Sequence, residues 1–341
     1  MGKSIWGEAE TRFFYELTPD RVLDAVEASL GRRCTGRSIA LNSMENRVYE
    51  LELELEEKPR HRYEAFVVAK FYRPGRWSEE QILEEHAFLR QLEEDEVPAV
   101  APLTFLDGRT LHVMPDTGLY YTVFPKVGGR SPFELDDEQL LVAGRMLARM
   151  HNSGRILDPR HRMTLDPTTF GLDNLQWLEE SGSIPPEQRG EYSRLVQEIC
   201  RVAAPWFAEA GTQLIHGDCH AGNLLWGEQG PFWVDFDDAV RGPVVQDLWL
   251  LLPGRDAHAR RQMQVLLEGY TMMAAFDRRQ LRLIEPLRAL RFVHFAAWIG
   301  RRREDPAFER AFPQYGTGRY WQEQVTDMAR QLELCHQPPW A

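Results

Sequence analysis

The chain of 341 residues carries 52 acidic against 40 basic residues, and its formal net charge of −12 excludes a broad nucleic-acid footprint, which needs a basic field to displace counterions. No stretch approaches the roughly 18 apolar residues of a membrane-spanning helix, and the opening MGKSIWGEAETRFF lacks the apolar segment of a signal peptide. Four cysteines lie far apart without a C-x-x-C pair, which indicates neither a disulfide framework nor a zinc ribbon. We therefore expect a cytoplasmic protein without nucleic-acid or membrane partners.

The first third of the chain alternates between helical and strand patterns. Thr18 and Gly31 frame a helix in TPDRVLDAVEASLG by their capping chemistry. Alternation in NRVYELELEL and the β-branched and aromatic residues of EAFVVAKFY predict two antiparallel strands. SEEQILEEHAFLRQLEED returns to helical spacing behind the candidate N-cap Ser78. LTFL and TLHVM, separated by DGR, predict a hairpin, and GLYYTVFP predicts a further strand that ends at Pro125.

The composition changes after Pro125, and from DDEQLLVAGRMLARMH onward the chain is mostly helical. We place a domain boundary at this change, so that residues 1–125 form a β-rich N-terminal lobe and residues 126–341 form a helical C-terminal lobe. Short apolar runs in NLLW and PFWV flank the turn GEQG and predict one small hairpin within the second lobe.

Oxygen-bearing side chains gather at the ends of that small hairpin. Asp218 and Asn223 come before it in HGDCHAGN, and Asp235 in VDFDD ends its second strand. Hard oxygen ligands of this kind suit Mg²⁺, which is usually held by one or two protein oxygens together with substrate phosphates. The D-x-x-x-x-N interval equals that of the protein-kinase catalytic loop, and DFD then stands where kinases have DFG. The pattern predicts phosphoryl transfer.

A kinase also needs groups that hold the phosphates. No G-x-x-x-x-G-K-[ST] motif occurs, which excludes a P-loop enzyme. Lys70 lies on a predicted strand and Glu85 on the following helix, an arrangement that can form the ion pair of kinases. We prefer Glu85 to its neighbour Glu84 because leucines four and seven residues further on place Glu85 beside the buried stripe. We expect Lys70 to meet water when the cleft is empty.

Other side chains of the same motifs have less specific interpretations. Cys219 and His220 could be zinc ligands in isolation, but no second Cys/His pair completes a set of four, and a thiol nucleophile stays open at this point. His216 is expected to brace the loop through the backbone, and Asp247 to serve as a helix N-cap or a buried loop brace. Three aromatic residues at three-residue spacing predict a helix core: Phe292, Phe295 and Trp298.

HGDCHAGN together with VDFDD resembles the aminoglycoside phosphotransferase and choline kinase branch of the protein-kinase-like fold. The wider set LNSMENRVYEL, VVAKFYRPGRW, QILEEH, FPKVGGR, DDAVRGPVVQDLWLLL and EPLRALR is similar to the RdoA/SrkA group of bacterial stress response kinases. The resemblance extends over roughly residues 35 to 310. One departure is the loop LNSMEN, which has no G-x-G-x-x-G, so backbone amides and Ser43 would have to cover the nucleotide.

The resemblance implies a two-lobed α+β fold, with a small β-rich N-lobe over the nucleotide and a larger helical C-lobe that holds the catalytic loop, the metal and the acceptor. It also implies the residue roles. The catalytic pair is Asp218, the base, with Asp235; Mg²⁺ is bound by Asn223 and Asp235; and Ser43 lies in the ATP site, to which the ion pair predicted above adds Lys70 and Glu85.

The function that follows is transfer of the γ-phosphoryl group of ATP, with Mg²⁺, to a Ser or Thr hydroxyl of a protein in the bacterial stress response. The protein acceptor is implied by the resemblance and not by spacing. A small-molecule kinase acting on an amino alcohol, sugar or aminoglycoside uses the same catalytic parts. An inactive nucleotide-binding regulator is a third possibility. We expect a monomer.

Overall fold

A computed structural model describes residues 14, 16–41, 43–252, 254–304, 306–337 and 340. These residues form two compact units. The first contains the described residues up to Glu134 together with Ala221–Asp237, and the second contains Leu135–His220 with the described residues from Asp238 onward. In the described part of the chain, no helix combines the length and apolar character needed to cross a membrane.

The first unit is built on a five-stranded antiparallel sheet with the strand order β1-β2-β3-β5-β4. Two helices belong to it, and both begin with the predicted N-caps, Thr18 and Ser78. The elements are α1 Pro19–Leu30, β1 Cys34–Leu41, β2 Arg47–Leu53, β3 Phe66–Phe71, α2 Glu79–Glu94, β4 His112–Val113 and β5 Tyr120–Pro125.

The predicted hairpin at LTFL and TLHVM is wrong for its first arm, LTFL, which does not form a strand. Of the second arm only β4 forms a strand, and it pairs with β5. The first arm is not a strand because its N–H groups have three separate partners: Leu103 donates to the Val123 carbonyl, Leu106 to the Ser29 carbonyl, and Phe105 to the Arg109 carbonyl within the turn. Donors divided in this way do not form a continuous ladder with the second arm.

Strand β3 carries the core and the site on its two faces. Val67, Ala69 and Phe71 alternate along it and are buried in the apolar core of the sheet. Lys70 points to the other face, in register with Thr122 of β5, and it is buried as well. The alternation of a strand therefore places a cation opposite a fully apolar surface.

The small predicted hairpin is present as β7 Leu224–Gly227 and β8 Gly230–Trp233, and it belongs to the first unit. The predicted boundary after residue 125 assigned it to the second lobe. Its attachment explains the difference: Trp226 exchanges two backbone hydrogen bonds with Arg130, and Trp233 donates to the Pro98 carbonyl. Gly129 allows this approach, since a Cβ there would lie 3.0 Å from the Trp226 nitrogen.

The second unit is mostly helical, with one two-stranded ribbon. Helix α3 begins with a capping box in which Asp136 and Gln139 satisfy each other's backbone N–H groups. The ribbon is β6 Gln213–Ile215 with β9 Val240–Gly242. The helices are α3 Asp137–Ile156, α4 Asp173–Glu180, α5 Pro186–Ala210, α6 Val245–Trp249, α7 Ala257–Thr271, α8 Ile284–Gly300, α9 Pro306–Ala311 and α10 Gly318–His336. The predicted two-lobed α+β fold, one lobe β-rich and the larger one helical, is confirmed.

The predicted aromatic core of α8 is wrong. Phe295 is 46% exposed, and the buried stripe consists of small and aliphatic residues such as Val293, Ala296 and Ala297. A step of three residues turns a helix by about 300°, so a series at that spacing drifts around the helix instead of following one face.

Candidate active site

Lys70 is the centre of an ion-pair cluster in the first unit. Its Nζ lies 2.7 Å from Asp237 Oδ1, 3.5 Å from Glu85 Oε1 and 3.8 Å from Asp235 Oδ1. Only 6% of the residue is exposed, so the expectation that it meets water is wrong. Its ammonium is enclosed by the carboxylates of Asp237, Glu85 and Asp235.

The charge of Lys70 is maintained by these neighbours. Burial by itself lowers the pKa of the ammonium, but Asp237, followed by Glu85 and Asp235, outweighs that effect, and the pKa lies well above its ordinary value. A buried cation held in a fixed position in this way is suited to the α and β phosphates of a nucleotide.

Helix α2 supplies the glutamate of the pair. Ser78 and Gln81 form a capping box at its start, which sets where the helix begins. Glu85 is 1% exposed and faces Lys70, as the position of the buried stripe predicts. One turn further on, Phe88 packs edge to face on Phe236 with 5.6 Å between ring centroids. This contact joins α2 to the DFD segment.

Asp235 and Asn223 lie at neighbouring ends of the β7–β8 ribbon. The N–H of Val234 donates to the Asn223 carbonyl at 3.0 Å, which continues the pairing by one step. Asp235 follows with a φ of 62°, a left-handed conformation that aspartate tolerates better than most residues. Its side chain is 58% exposed, in contrast to the buried Asp237. One accessible carboxylate and one amide oxygen form a donor set that fits Mg²⁺.

Ser43 lies in the loop between β1 and β2. Its hydroxyl accepts a hydrogen bond from the backbone N–H of Asn46 at 3.1 Å, which stabilises the turn. The Asn46 side chain then connects this loop to the cluster, because its Nδ2 donates to Asp237 Oδ2 at 3.3 Å. Ser43 is therefore two hydrogen bonds away from a direct partner of Lys70.

In the second unit, the loop that leads to Asp218 is braced by the buried side chain of Asp247. Asp247, fully buried, accepts hydrogen bonds from the N–H groups of His216 at 2.9 Å and Gly217 at 2.8 Å. It also pairs with His151 Nε2 at 3.0 Å. His216 Nδ1 in turn accepts from the Asp218 N–H at 3.3 Å. Both residues have the bracing contacts predicted for them.

Gly217 is required at its position for two reasons. Its φ is 85°, in the left-handed region that favours glycine. A Cβ at this residue would lie 2.3 Å from the Asp238 carbonyl oxygen, which is a severe clash. The glycine of HGD is thus required by the close approach of two backbone segments next to Asp218.

Two basic side chains of the second unit contact Asp218. Arg291 on α8 lies 2.9 Å from Oδ1, and His220 Nε2 lies 3.4 Å from Oδ2. Burial alone raises the pKa of Asp218, but the His220 hydrogen bond and the charge of Arg291 outweigh it, and the pKa is held well below its ordinary value. Asp218 is ionised at neutral pH and can accept a proton.

Cys219 does not have the properties of a nucleophile. The residue is fully buried, and burial together with the nearby Asp247 and Asp218 raises the pKa of its thiol well above the ordinary value. Cys219 therefore lacks the accessible, readily ionised thiol of a nucleophile. Within the described residues, no three His, Cys, Asp or Glu side chains are arranged to hold a metal ion.

We predict that Cys219→Ser retains most of the activity. Serine has nearly the same shape, and its hydroxyl can hydrogen bond to Asp247, the partner that the thiol has now. Turnover of the variant is compared with the wild type, and native protein is treated with a thiol reagent. A well-folded but inactive variant would identify Cys219 as a chemical participant.

The predicted residues fall into two groups. Lys70, Glu85, Asn223 and Asp235 belong to the first unit together with Ser43, and Asp218 belongs to the second. Sequence reasoning missed four residues of these sites: Asn46, Arg76, Asp237 and Arg291. For Asp237 the sequence offered one signal, because the third residue of DFD is an aspartate where kinases have glycine. No comparable signal marked the other three residues.

The two-lobed fold, the Lys70–Glu85 pair and the braced HGD loop define a phosphotransferase of the kinase-like class. The comparisons agree with this class. Residues 40–284 match the phosphotransferase enzyme family, and the chain belongs to that family. It is a phosphotransferase.

Curated relatives align over almost the whole chain. Stress response kinase A of Escherichia coli strain K12 is 42% identical over 328 residues, 96% of each chain. The serine/threonine protein kinase RdoA of Salmonella typhimurium strain LT2 is 40% identical over the same share. The resemblance to this group that the motifs predicted is confirmed.

Solved structures share the fold at low sequence identity. Amicoumacin kinase hAmiN, in complex with AMP-PNP, Ca²⁺ and Ami, aligns over 94% of both chains with a TM-score of 0.71 and 19% identity. A microcompartment-associated aminopropanol kinase aligns over 92% of this chain and 95% of its own, with a TM-score of 0.67 and 18% identity.

Proposed function

We propose that the protein is an ATP-dependent serine/threonine protein kinase of a bacterial stress response, acting in the cytoplasm as a monomer. The observation that carries the proposal is the arrangement around Lys70, a buried ammonium paired with Glu85 at 3.5 Å and 3.8 Å from the accessible Asp235. The relatives named stress response kinase A and RdoA, at 40–42% identity, support the acceptor class and the physiological setting.

Each residue has a defined task in this proposal. Lys70, positioned by Glu85, binds the α and β phosphates, and Ser43 contributes to the loop that covers the nucleotide. Asn223 and Asp235 would hold Mg²⁺, which neutralises the charge of the β and γ phosphates when bound. Asp218 orients the acceptor hydroxyl and takes its proton as the new O–P bond forms and ADP leaves.

The surroundings of Asp218 favour a protein hydroxyl over a small cation. Arg291 is a permanent cation 2.9 Å from the carboxylate, and His220 adds a second positive group when protonated. An ammonium-bearing acceptor would have to approach against this charge. Solved relatives such as the aminopropanol kinase keep a small-molecule acceptor as the second candidate, since they share the fold.

The deciding experiment incubates the protein with labelled ATP and Mg²⁺, first with cell lysate and then with a panel of amino alcohols, sugars and aminoglycosides. We expect label on Ser and Thr of proteins, identified by phosphopeptide mapping. Label transferred only to a metabolite would contradict the proposal and identify the protein as a small-molecule kinase. Nucleotide binding without any turnover, not even to water, would indicate an inactive regulator.

We further predict that Mg²⁺ and ATP raise the melting temperature together by more than the sum of their separate shifts. Metal and phosphates complete each other's coordination, and ligands that bind only the folded state stabilise it, by about 2.7 kcal/mol at a hundred times Kd. Differential scanning fluorimetry measures the shift. Asn223→Ala is the matched variant, which should lose the cooperative part and keep the rest; purely additive shifts in the wild type would contradict the metal site.

A further inference from the structure

Asp237, the last residue of DFD, is the closest acidic partner of Lys70. The residue is 2% exposed, and its Oδ1 lies 2.7 Å from Lys70 Nζ, nearer than Glu85. Its Oδ2 accepts from the guanidinium of Arg76 and from Asn46 Nδ2. A buried carboxylate is unfavourable unless it is paired and hydrogen-bonded, and the partners of this one include Lys70, Arg76 and Asn46.

Two of these partners belong to loops on either side of the sheet strands β2 and β3. Asn46 closes LNSMEN, the loop without glycines, and Arg76 belongs to RPGRW, which follows β3. The loops are also connected directly, because the Arg73 N–H donates to Asn46 Oδ1 at 3.1 Å. Glu45 lies 3.5 Å from Arg76 and supplies a further link. Asp237 is the point where both loops meet Lys70.

This arrangement addresses a problem that the sequence raises. A glycine-rich loop covers phosphates because its backbone can approach them closely, and LNSMEN lacks this freedom. Side-chain bonds to a single buried carboxylate can hold such a loop in place instead. The same carboxylate holds Lys70 at 2.7 Å, closer than Glu85 does, and is two residues from the proposed metal ligand Asp235.

We infer that Asp237 is a positioning residue for the nucleotide: together with Arg76 and Asn46 it holds Lys70 and loop residues 43–46 in the geometry that receives the phosphates of ATP. The inference rests on the proposed function. It assigns the acidic third residue of DFD a role in substrate binding that a glycine cannot have.

The test uses the full chain with Asp237→Asn and Arg76→Met, separately and combined. Asparagine keeps the shape of the side chain and removes its charge. We expect the KM for ATP to rise by about 10²-fold in each variant, because misplacement of a positioned group costs this much, while the KM for the acceptor stays unchanged. The double variant should be no worse than the worse single one, since both act through one interaction.

A matched control separates positioning from stability. Glu285 is a carboxylate of the second unit, 1% exposed and paired with Arg255 at 2.9 Å. Glu285→Gln should lower the melting temperature and leave the KM for ATP unchanged. Should Asp237→Asn behave like this control, folded but with a normal KM for ATP, the positioning role would be overturned. Additive effects of the two cluster variants would overturn the shared interaction.

A second readout does not depend on turnover. Lys70 is labelled with an amine-reactive reagent in native protein, and the rate is followed by mass spectrometry. We expect faster labelling of Lys70 in Asp237→Asn, because the lysine loses its closest anionic partner and the loops above it loosen. Faster labelling in a protein that binds ATP but transfers no phosphoryl group would support the positioning role and refute the proposed function. An unchanged rate would refute the positioning role.

Discussion

Asp218→Asn is expected to lower phosphoryl transfer by about 10²- to 10⁴-fold, the usual contribution of a general base. Asparagine preserves the shape of the residue, and the backbone N–H of residue 218 can still donate to His216 Nδ1. It cannot accept the proton of the acceptor hydroxyl. Nucleotide binding should barely change, since the residues proposed to hold the phosphates belong to the first unit. Steady-state kinetics and calorimetric titration with ATP and Mg²⁺ measure the two effects.

The charge balance around Asp218 makes a control necessary. Replacement by asparagine leaves Arg291 without its 2.9 Å partner, which could disturb α8. Asp158→Asn breaks an exposed pair of the same unit, with Arg241 at 3.2 Å, and should change neither turnover nor stability noticeably. Near wild-type turnover of Asp218→Asn would exclude its role as the base, and loss of ATP binding would indicate that the loop has collapsed.

Periodic patterns predicted the parts of the fold that depend on local chemistry. The capped helices α1 and α2, strand β5 and the small β7–β8 ribbon all follow from capping residues, alternation and turn signals. Glu85 was distinguished from Glu84 by the same means, since the position of the buried stripe determines which of two adjacent side chains faces inward.

Contacts between distant parts of the chain were not accessible in this way. Arg76 and Asp237 are 161 residues apart, and Asn46 and Asp237 are 191 apart, so no local pattern links them. The burial of Lys70 depends on the same long-range contacts, because the carboxylates that enclose it come from α2 and from DFD. Position on a strand predicts which face a side chain takes but not what covers that face.

Lys70→Met is expected to reduce kcat/KM for ATP by about 10²- to 10³-fold, the effect of losing one preorganised electrostatic contact. Methionine replaces the apolar stem of lysine and removes only the ammonium. Unlike a surface change, this one also affects stability, because Glu85 at 1% exposure loses a partner at 3.5 Å. Removing one member of a buried pair costs about 3–5 kcal/mol of unfolding free energy. Asp237 keeps Arg76 and Asn46, which limits the loss.

Both consequences are measured on the same samples, by urea unfolding and by ATP kinetics below the unfolding transition. Lys126→Met is the matched variant: it removes a lysine of the same unit that pairs with Glu50 at 2.7 Å and has no contact with the Lys70 cluster in the described pairs. We expect it to retain the wild-type KM for ATP. Glu85→Gln should reproduce the kinetic defect of Lys70→Met in weaker form, because the ammonium then remains and keeps Asp237 and Asp235 as partners. If Lys70→Met is cooperatively folded and binds ATP as the wild type does, the buried lysine is an element of the core and the phosphates are bound by other groups.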